Sequence, residues 1–395
     1  MSAPSRKTRL LNPEFGDGAL TLKRILLSAV LLISAATALA APPANTMLVD
    51  VLSRMDEFHA ARGVRKPASP RELKSAAPSR ELERVVQAFL DEHPNTGLIV
   101  LNGDTILIER YQYGRTDGHR FASASVAKTV LGMLLGIALS EGHIKSIDDL
   151  AQQYVPSLKG HPYGETSIRH LLTMSSGMSF KETFTPRDDG FKLISNTLHR
   201  LTEGGADTVL EWKQREAPAG TRFRYASGDS QVLGLVVIGA VKKPLADYLS
   251  EKIWQPMGAE ANATWLLDKA GYETGFCCIN AVLRDYARFG MLLARYGELD
   301  GKQIIPSEWV KVATQPDAAH LQVGKATTWN GYGYQTWLTH AAEPRFAALG
   351  LHGQAIYVDA ARRLVVVHTA VWADGNDRAA RGAQFRLFES ILKTL

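Results

Sequence analysis

The sequence predicts an α+β fold: an antiparallel sheet flanked by N- and C-terminal helices, with a large helical lobe inserted between the strands. Three observations predict it. Strand-like runs occur near both ends of the 395-residue chain, helical patterns and loops dominate from Ser125 to about Leu321, and an amphipathic helix spans 377–395. Strands at both ends joined by a helical block favour α+β over a parallel α/β fold. A chain of this length can bury one large core.

Residues 1–40 are predicted to be a signal peptide. Lys23-Arg24 precede the apolar run from Ile25 to Ala36, and Ala38-Leu39-Ala40 supplies small residues for a peptidase near Ala40. The run is short for a bilayer span, which favours cleavage over an uncleaved anchor helix. We therefore expect a periplasmic or secreted protein without stable membrane association after cleavage.

Residues 41–80 are predicted to form a tether that precedes a single domain at 81–395. Asp50 to Arg62 can form a short helix, whereas Gly63 to Arg80 is rich in Pro, Ser, Ala and basic residues and is predicted to be irregular. Within the domain, 81–92 has an amphipathic helical pattern. The strand predictions are 96–101 and 105–111 around the turn Asn102-Gly103-Asp104, then 331–338, 353–358 and 363–371.

Charge and cysteine usage exclude several function classes. The formal charge is +5, but residues 1–24 hold five basic and two acidic side chains, so the rest of the chain carries only +2. No basic stripe remains, which argues against a nucleic-acid partner. The two cysteines, Cys277 and Cys278, are adjacent, and two free thiols are expected because neighbours bridge only through a strained ring. No zinc-ligand or metal-loop spacing occurs, so no metal and no cofactor are expected.

The most informative motif is Ser125-Val126-Ala127-Lys128, which opens a long apolar helix. This spacing puts a hydroxyl and an amine on one helical face, above the positive end of the helix dipole. Such a pair can make an activated nucleophile without a histidine. The motif alone is weak, because Ser390-Ile391-Leu392-Lys393 matches it equally well in the tail helix.

Two further motifs follow in the chain. A Pro/Gly turn at 218–220 leads to Tyr225-Ala226-Ser227, where a phenol of lowered pKa next to the Lys128 ammonium can move protons. The alternative is a structural tyrosine followed by a capping serine. The run Leu351-His352-Gly353-Gln354 can present a strand-edge N–H to an oxyanion, and its alternative is a plain edge strand with a surface histidine.

These motifs, together with a longer run, give the chain a resemblance to the serine β-lactamase-like superfamily over about residues 95–395. It resembles class C β-lactamases and, most of all, 6-aminohexanoate-dimer hydrolases and related carboxylesterases. The matching pieces are Ser125–Lys128, Ile168–Met178 with its Leu-Leu-Thr-Met-Ser-Ser-Gly run, Tyr225–Ser227, Leu233-Gly234, Pro256–Gly258 and His352-Gly353.

The resemblance implies a β-lactamase/transpeptidase-like fold and an acyl-enzyme mechanism. Ser125 would be the nucleophile, Lys128 and Tyr225 the acid/base groups, and the N–H groups of Ser125 and Gln354 the oxyanion hole. Gly353, His352 and Ser227 would complete the site. The expected reaction is hydrolysis of a small ester or linear amide.

The chain departs from β-lactamases at two positions. Their Tyr-x-Asn is Tyr225-Ala226-Ser227 here, and their Lys-Thr-Gly becomes Leu351-His352-Gly353, so a cation for a β-lactam carboxylate is missing. Two alternatives to the esterase or amidase remain open. They are a penicillin- or peptidoglycan-binding protein on the same fold with weak or no turnover, and a D-amino-peptidase.

Overall fold

The protein is an α+β structure with a long mixed sheet at its centre. The computed structural model describes residues 45–183, 185, 187–340 and 342–395; the predicted signal peptide lies outside the described residues. The helices are α1 (Thr46–Ser53), α2 (Met55–Phe58), α3 (Arg80–Glu92), α4 (Val126–Ser140), α5 (Ile168–Leu172), α6 (Asp189–Thr197), α7 (Ser227–Val241), α8 (Leu245–Leu249), α9 (Leu283–Ala294), α10 (Ser307–Ala313) and α11 (Arg378–Thr394). The strands are β1 (Ala61–Val64), β2 (Lys74–Ser75), β3 (Asn95–Asn102), β4 (Thr105–Tyr111), β5 (Phe121–Ala122), β6 (Ala263–Leu266), β7 (Ile279–Ala281), β8 (Glu298–Leu299), β9 (Lys302–Gln303), β10 (Gly331–Tyr332), β11 (Trp337–Leu338), β12 (Arg345–Leu349), β13 (Ala355–Asp359) and β14 (Leu364–Ala370).

The main sheet has the strand order β10-β11-β12-β13-β14-β3-β4-β2. All its pairs are antiparallel except β2 with β4. Alternate residues of β3 face opposite sides of the sheet, as a strand requires. Leu98 and Val100 pack in a cluster with α3 and α11, whereas Ile99 and Leu101 belong to the larger core that includes α9 and the helical lobe. The terminal helices therefore cover one face and the lobe covers the other.

Residues 46–75 pack into the fold, which corrects the prediction of a tether that precedes the domain. β1 joins a small second sheet of order β1-β6-β7-β5, and β2 extends the main sheet beside β4. α1 buries Leu48, Val49 and Leu52 against Ala122 and Val371. The apolar side chains of α1 account for this docking. Their burial stabilises the folded protein by about 25 cal/mol for each Å² of apolar surface removed from water.

Most other elements lie where the sequence predicts them. The helix at 81–92, the hairpin β3–β4, the strands β13 and β14 and the tail helix α11 are confirmed. The predicted strand at 331–338 is instead the hairpin β10–β11, closed by the hydrogen bond from Gly333 N to Thr336 O. β12 is an additional strand that the sequence analysis did not predict. No helix in the described part of the chain is long and apolar enough to cross a membrane.

Candidate active site

Ser125 lies immediately before the first turn of α4, at the floor of a cleft. The residue before it, Ala124, has a φ of 44° in the left-handed region, so the chain turns sharply between β5 and α4. α4 itself is buried from Val126 to Ala138, because it is apolar on all sides and passes through the core. A short strand, a tight turn and a rigid buried helix thus fix the position of the Ser125 side chain.

Lys128 lies one helical turn further on and is 2% exposed. Its Nζ donates hydrogen bonds to Ser125 Oγ at 3.0 Å, to Ser227 Oγ at 3.0 Å and to the carbonyl oxygen of Phe276 at 2.9 Å. Burial lowers the Lys128 pKa to about 8, although the Glu182 carboxylate opposes this effect. A neutral amine is therefore accessible near physiological pH.

Glu182 is a site residue that the sequence analysis did not single out. Its Oε1 accepts a hydrogen bond from Ser227 Oγ at 2.8 Å, and its Oε2 accepts one from Ser227 N at 2.7 Å. Burial raises the Glu182 pKa, while the nearby Lys128 ammonium opposes that rise. No motif signals this residue, since it comes from a loop of the lobe that only folding brings to Ser227.

Tyr225 meets Ser125 from the loop before α7. Its phenol lies near the Ser125 side chain, which acts to lower the Tyr225 pKa, and its ring lies 5.0 Å from Lys128 Nζ and stacks on Trp337 at 5.4 Å. Burial raises the Tyr225 pKa well above its usual value, and the Glu182 charge adds to the effect. The expectation of a lowered pKa is therefore wrong, because desolvation outweighs the lowering effects of Ser125 and Arg381, and Tyr225 stays protonated.

The Met-Ser-Ser-Gly run holds the Tyr225 loop in place. Met174 O accepts a hydrogen bond from Arg224 N, and Ser175 O accepts one from Gly220 N. Gly177 has a φ of 73°, and a Cβ there would lie 2.1 Å from Ala217 O. The run is thus a docking surface for the loop, and its glycine allows the two backbones to meet.

The backbone N–H groups of Ser125 and Leu351 lie on two segments that meet beside the nucleophile. A Cβ on Gly350, at the end of β12, would lie 3.0 Å from Ser125 N. Within the described residues, neither Ser125 N nor Leu351 N has a hydrogen-bond acceptor. Both are therefore orphan donors at one edge of the cleft.

Gln354 is placed differently from the expectation that its N–H joins Ser125 in an oxyanion hole. Gln354 N donates to Leu351 O at 3.4 Å, and its side-chain amide donates to Ala370 O at 2.7 Å. Residues 351–353 form a 3₁₀ turn after β12 rather than a strand. That turn directs Gln354 inward and leaves the N–H of Leu351 at the strand end.

His352 is buried and uncharged rather than a surface histidine. Its Nδ1 lies 2.7 Å from Trp372 O, and burial lowers its pKa. Since a carbonyl oxygen only accepts, Nδ1 carries the proton and Nε2 is left as an acceptor. His352 therefore supplies no cation for a carboxylate of the substrate.

A cavity of about 340 Å³ opens above Ser125. Ser125, Ser227, Glu182 and His352 are among its lining residues, whereas Gly353 and Gln354 are not among the described residues that line it. Gly353 instead packs under Trp372, where a Cβ would lie 2.6 Å from the indole. Most of the remaining wall is apolar, as is usual for pockets that bind small molecules.

The two cysteines form a disulfide in this wall. Cys277 and Cys278 are bridged, which corrects the expectation of two thiols. Both line the cavity, and the carbonyl of the preceding Phe276 holds Lys128. Cys278 has a φ of 78°, so this turn adopts the unusual backbone geometry that a ring of adjacent cysteines needs. Among the described residues, no cluster of His, Cys, Asp and Glu side chains is arranged to hold a metal ion.

Comparison with known proteins agrees with this geometry. The 6-aminohexanoate-dimer hydrolase of Paenarthrobacter ureafaciens is 25% identical over 346 residues, which cover 85% of this chain and 88% of that protein. A structure of a putative 6-aminohexanoate-dimer hydrolase from Bacillus anthracis superposes with a TM-score of 0.79 at 24% identity, over 90% of this chain and 100% of that one. A family VIII carboxylesterase structure has a TM-score of 0.60 at 17% identity, over 81% and 99% of the two chains.

The β-lactamase family model matches residues 82–389, which is most of the chain. The fold is accordingly that of β-lactamases and penicillin-binding proteins, and the relatives named above include an amidohydrolase and an esterase. The chain belongs to the β-lactamase family of hydrolases.

Proposed function

We propose that this protein is a serine hydrolase that cleaves ester or linear amide bonds through an acyl-enzyme on Ser125. The observation that carries the proposal is the set of three acceptors around Lys128 Nζ. In the neutral amine, two N–H bonds remain on Ser227 Oγ and Phe276 O, and the lone pair is left for the Ser125 hydroxyl. Lys128 is thereby oriented as a general base.

Acylation then follows from the positions of the neighbouring groups. Ser125 Oγ attacks the carbonyl carbon while Lys128 takes the hydroxyl proton, and a C–O bond forms as the carbonyl π bond opens. The orphan N–H groups of Ser125 and Leu351 are suited to stabilise the resulting oxyanion. The protonated phenol of Tyr225, which lies near Ser125, donates to the departing oxygen or nitrogen as the bond to the acyl carbon breaks, and it recovers a proton from Lys128.

Deacylation reverses these roles with water as the nucleophile. As water attacks the acyl carbon, Tyr225 takes a proton from the water and passes its own proton to Lys128. Lys128 then returns a proton to Ser125 Oγ as the bond between Oγ and the acyl carbon breaks. The relatives support this class of reaction, because they include a 6-aminohexanoate-dimer hydrolase and a carboxylesterase. The neutral His352 speaks against a β-lactam as the main substrate.

The test is the pre-steady-state release of p-nitrophenol from short-chain esters, together with intact-protein mass measurement. The wild type should show a burst of one equivalent per site, an added acyl group, and then turnover, and Ser125→Ala should lose all three. Ser390→Ala, in the second Ser-x-x-Lys of α11, is the matched control and should behave as wild type. An adduct without turnover would favour the binding-protein alternative. No adduct from esters or linear amides would refute the proposal.

A further inference from the structure

The N-terminal helix α1 forms part of the cavity that contains Ser125. Leu48, Val51, Leu52 and, just beyond the helix, Met55 all line that cavity. Their spacing of three and four residues places them on one side of a helix. Asn45 caps the helix by accepting a hydrogen bond from Met47 N. The wall of the cavity therefore includes a segment that precedes the matched family region at residue 82.

This wall is anchored independently of the substrate. Leu48, Val49 and Leu52 pack with Ala122 of β5 and with Val371 after β14. Ala122 lies three residues before Ser125, so α1 is held directly beside the nucleophile. Val51 is different: it is 9% exposed and lines the cavity, but it does not belong to this packed cluster. Its side chain is free to contact an acyl group.

The other walls have the same apolar character. α6 contributes Phe191 and Ile194, Leu198 follows directly after this helix, and the chain before β7 contributes Phe276 and the Cys277–Cys278 disulfide. Transfer of an acyl chain from water to such a surface gains about 0.8 kcal/mol per buried methylene. The cavity therefore favours substrates whose acyl part is a hydrocarbon chain.

Three acidic side chains line the cavity. They are Glu182, Asp188 and Asp374, whereas none of its described lining residues is a lysine or arginine. Asp188 accepts hydrogen bonds from Phe191 N and Thr183 N. An acyl group with a carboxylate would meet these acidic side chains, which costs free energy in a partly desolvated cleft.

We infer that α1 is the acyl-selecting wall of this enzyme and that its substrates carry an apolar acyl group of medium length without a carboxylate. The inference rests on the proposed acyl-enzyme function. Val51 is the specificity-determining residue of the wall. The α1 wall does not constrain the leaving group of the substrate.

The experiment measures kcat/KM for p-nitrophenyl acetate, butyrate, hexanoate and octanoate with wild type, Val51→Ala and Val49→Ala. The two variants make the same change on the same helix, but only Val51 lines the cavity. Val51→Ala should lower the hexanoate-to-acetate ratio by roughly fivefold, because two methyl contacts are lost, while Val49→Ala keeps the wild-type ratio. Val51→Phe should disfavour octanoate and spare acetate.

A charged probe tests the second half of the inference. Mono-p-nitrophenyl succinate should be hydrolysed at least tenfold more slowly than p-nitrophenyl butyrate, which lacks the carboxylate. Thermal unfolding of each variant shows whether a change in the ratio reflects the cavity or the fold. If all variants keep one acyl-length profile while the Ser125 burst persists, the inference is wrong and the proposed function stands. If no Ser125-dependent acylation occurs with any ester or amide, both are overturned.

Discussion

The Glu182 carboxylate accepts two hydrogen bonds from Ser227, one from the Ser227 hydroxyl at 2.8 Å and one from the Ser227 backbone N–H at 2.7 Å. Ser227 Oγ in turn accepts a hydrogen bond from Lys128. A carboxylate, a hydroxyl and an amine are thus connected in series behind Ser125. The carboxylate stabilises the ammonium form of Lys128 and so raises its pKa, against the larger effect of burial.

Glu182→Gln should therefore shift the acid limb of the pH profile. Neutral Lys128 is the active base, so kcat/KM of the wild type should rise with pH through about 8. Removal of the negative charge lowers the Lys128 pKa further, and the limb moves to lower pH. The plateau should fall roughly twofold to tenfold, since Gln cannot accept both hydrogen bonds from Ser227. Asp374→Asn removes a second carboxylate at the cavity and is the control, in which the acid limb should not shift. An unshifted limb in Glu182→Gln would contradict the connection of Glu182 to Lys128 through Ser227.

Tyr225→Phe should affect poor leaving groups most. A protonated phenol beside Ser125 matters when the departing group needs a proton, as an amine does and p-nitrophenolate does not. We expect a loss of about 10²-fold or more on a p-nitroanilide and a smaller loss on the p-nitrophenyl ester of the same acid. Tyr332→Phe, which removes a hydroxyl from the same aromatic cluster, should change neither rate by more than a few fold. Equal losses on both substrates would rule out Tyr225 as the acid.

Reduction of the Cys277–Cys278 disulfide should slow catalysis. The bridge restricts the turn that presents Phe276 O to Lys128, and opening it lets this acceptor move. We expect kcat/KM to fall roughly twofold to tenfold, because small displacements of catalytic groups cost rate. The double variant Cys277→Ser/Cys278→Ser should have the kcat/KM of the reduced enzyme, and added reductant should not change that value. A thiol titration establishes that the bond has opened, and full activity in that state would contradict the prediction.

Asp229 should make stability depend on pH. It is fully buried, it accepts a hydrogen bond from Ser176, and burial raises its pKa to about 8. Between about 4 and 8 the unfolded chain loses this proton and the folded protein keeps it. The free energy of unfolding should then fall as pH rises through this range, by up to about 1.4 kcal/mol per pH unit. Above about 8 no further loss follows.

Asp229→Asn should flatten that slope, because an amide has no proton to lose. Urea unfolding at pH 5, 6.5 and 8 measures it for wild type, for Asp229→Asn and for Asp91→Asn, which changes an exposed carboxylate. Parallel slopes in all three proteins would show that Asp229 is ionised in the folded state.

Local pattern predicted the fold because its main elements carry their signals in sequence. The apolar runs of β3 and β14, the turn at 102–104 and the amphipathic tail helix all act over a few residues. β12 escaped prediction because its Arg-Phe-Ala-Ala-Leu run has no clear alternation. The sequence predicts one strand over 331–338, whereas a hydrogen bond from Gly333 N to Thr336 O closes a turn in the middle of this run.

The candidate site was predictable where the chemistry lies within one motif. Ser125, Lys128, Tyr225 and Ser227 lie close together in the structure, as the motifs suggest. Glu182 and the N–H of Leu351 belong to the site only through long-range contacts, one from the loop of the lobe and one from the end of β12. The Tyr225 pKa was misjudged because desolvation depends on packing, which a sequence does not display.

The pairing of β1 with β6 and of β2 with β4 has a practical consequence for how this protein is produced. A recombinant protein that begins at the family boundary, residue 82, would lack both strands and α1. It would expose the edges of two sheets, which favours self-association, and it would open the cleft on the side of Ala122. Low solubility or altered acyl preference in such a truncated protein would then reflect the choice of its first residue, not the enzyme.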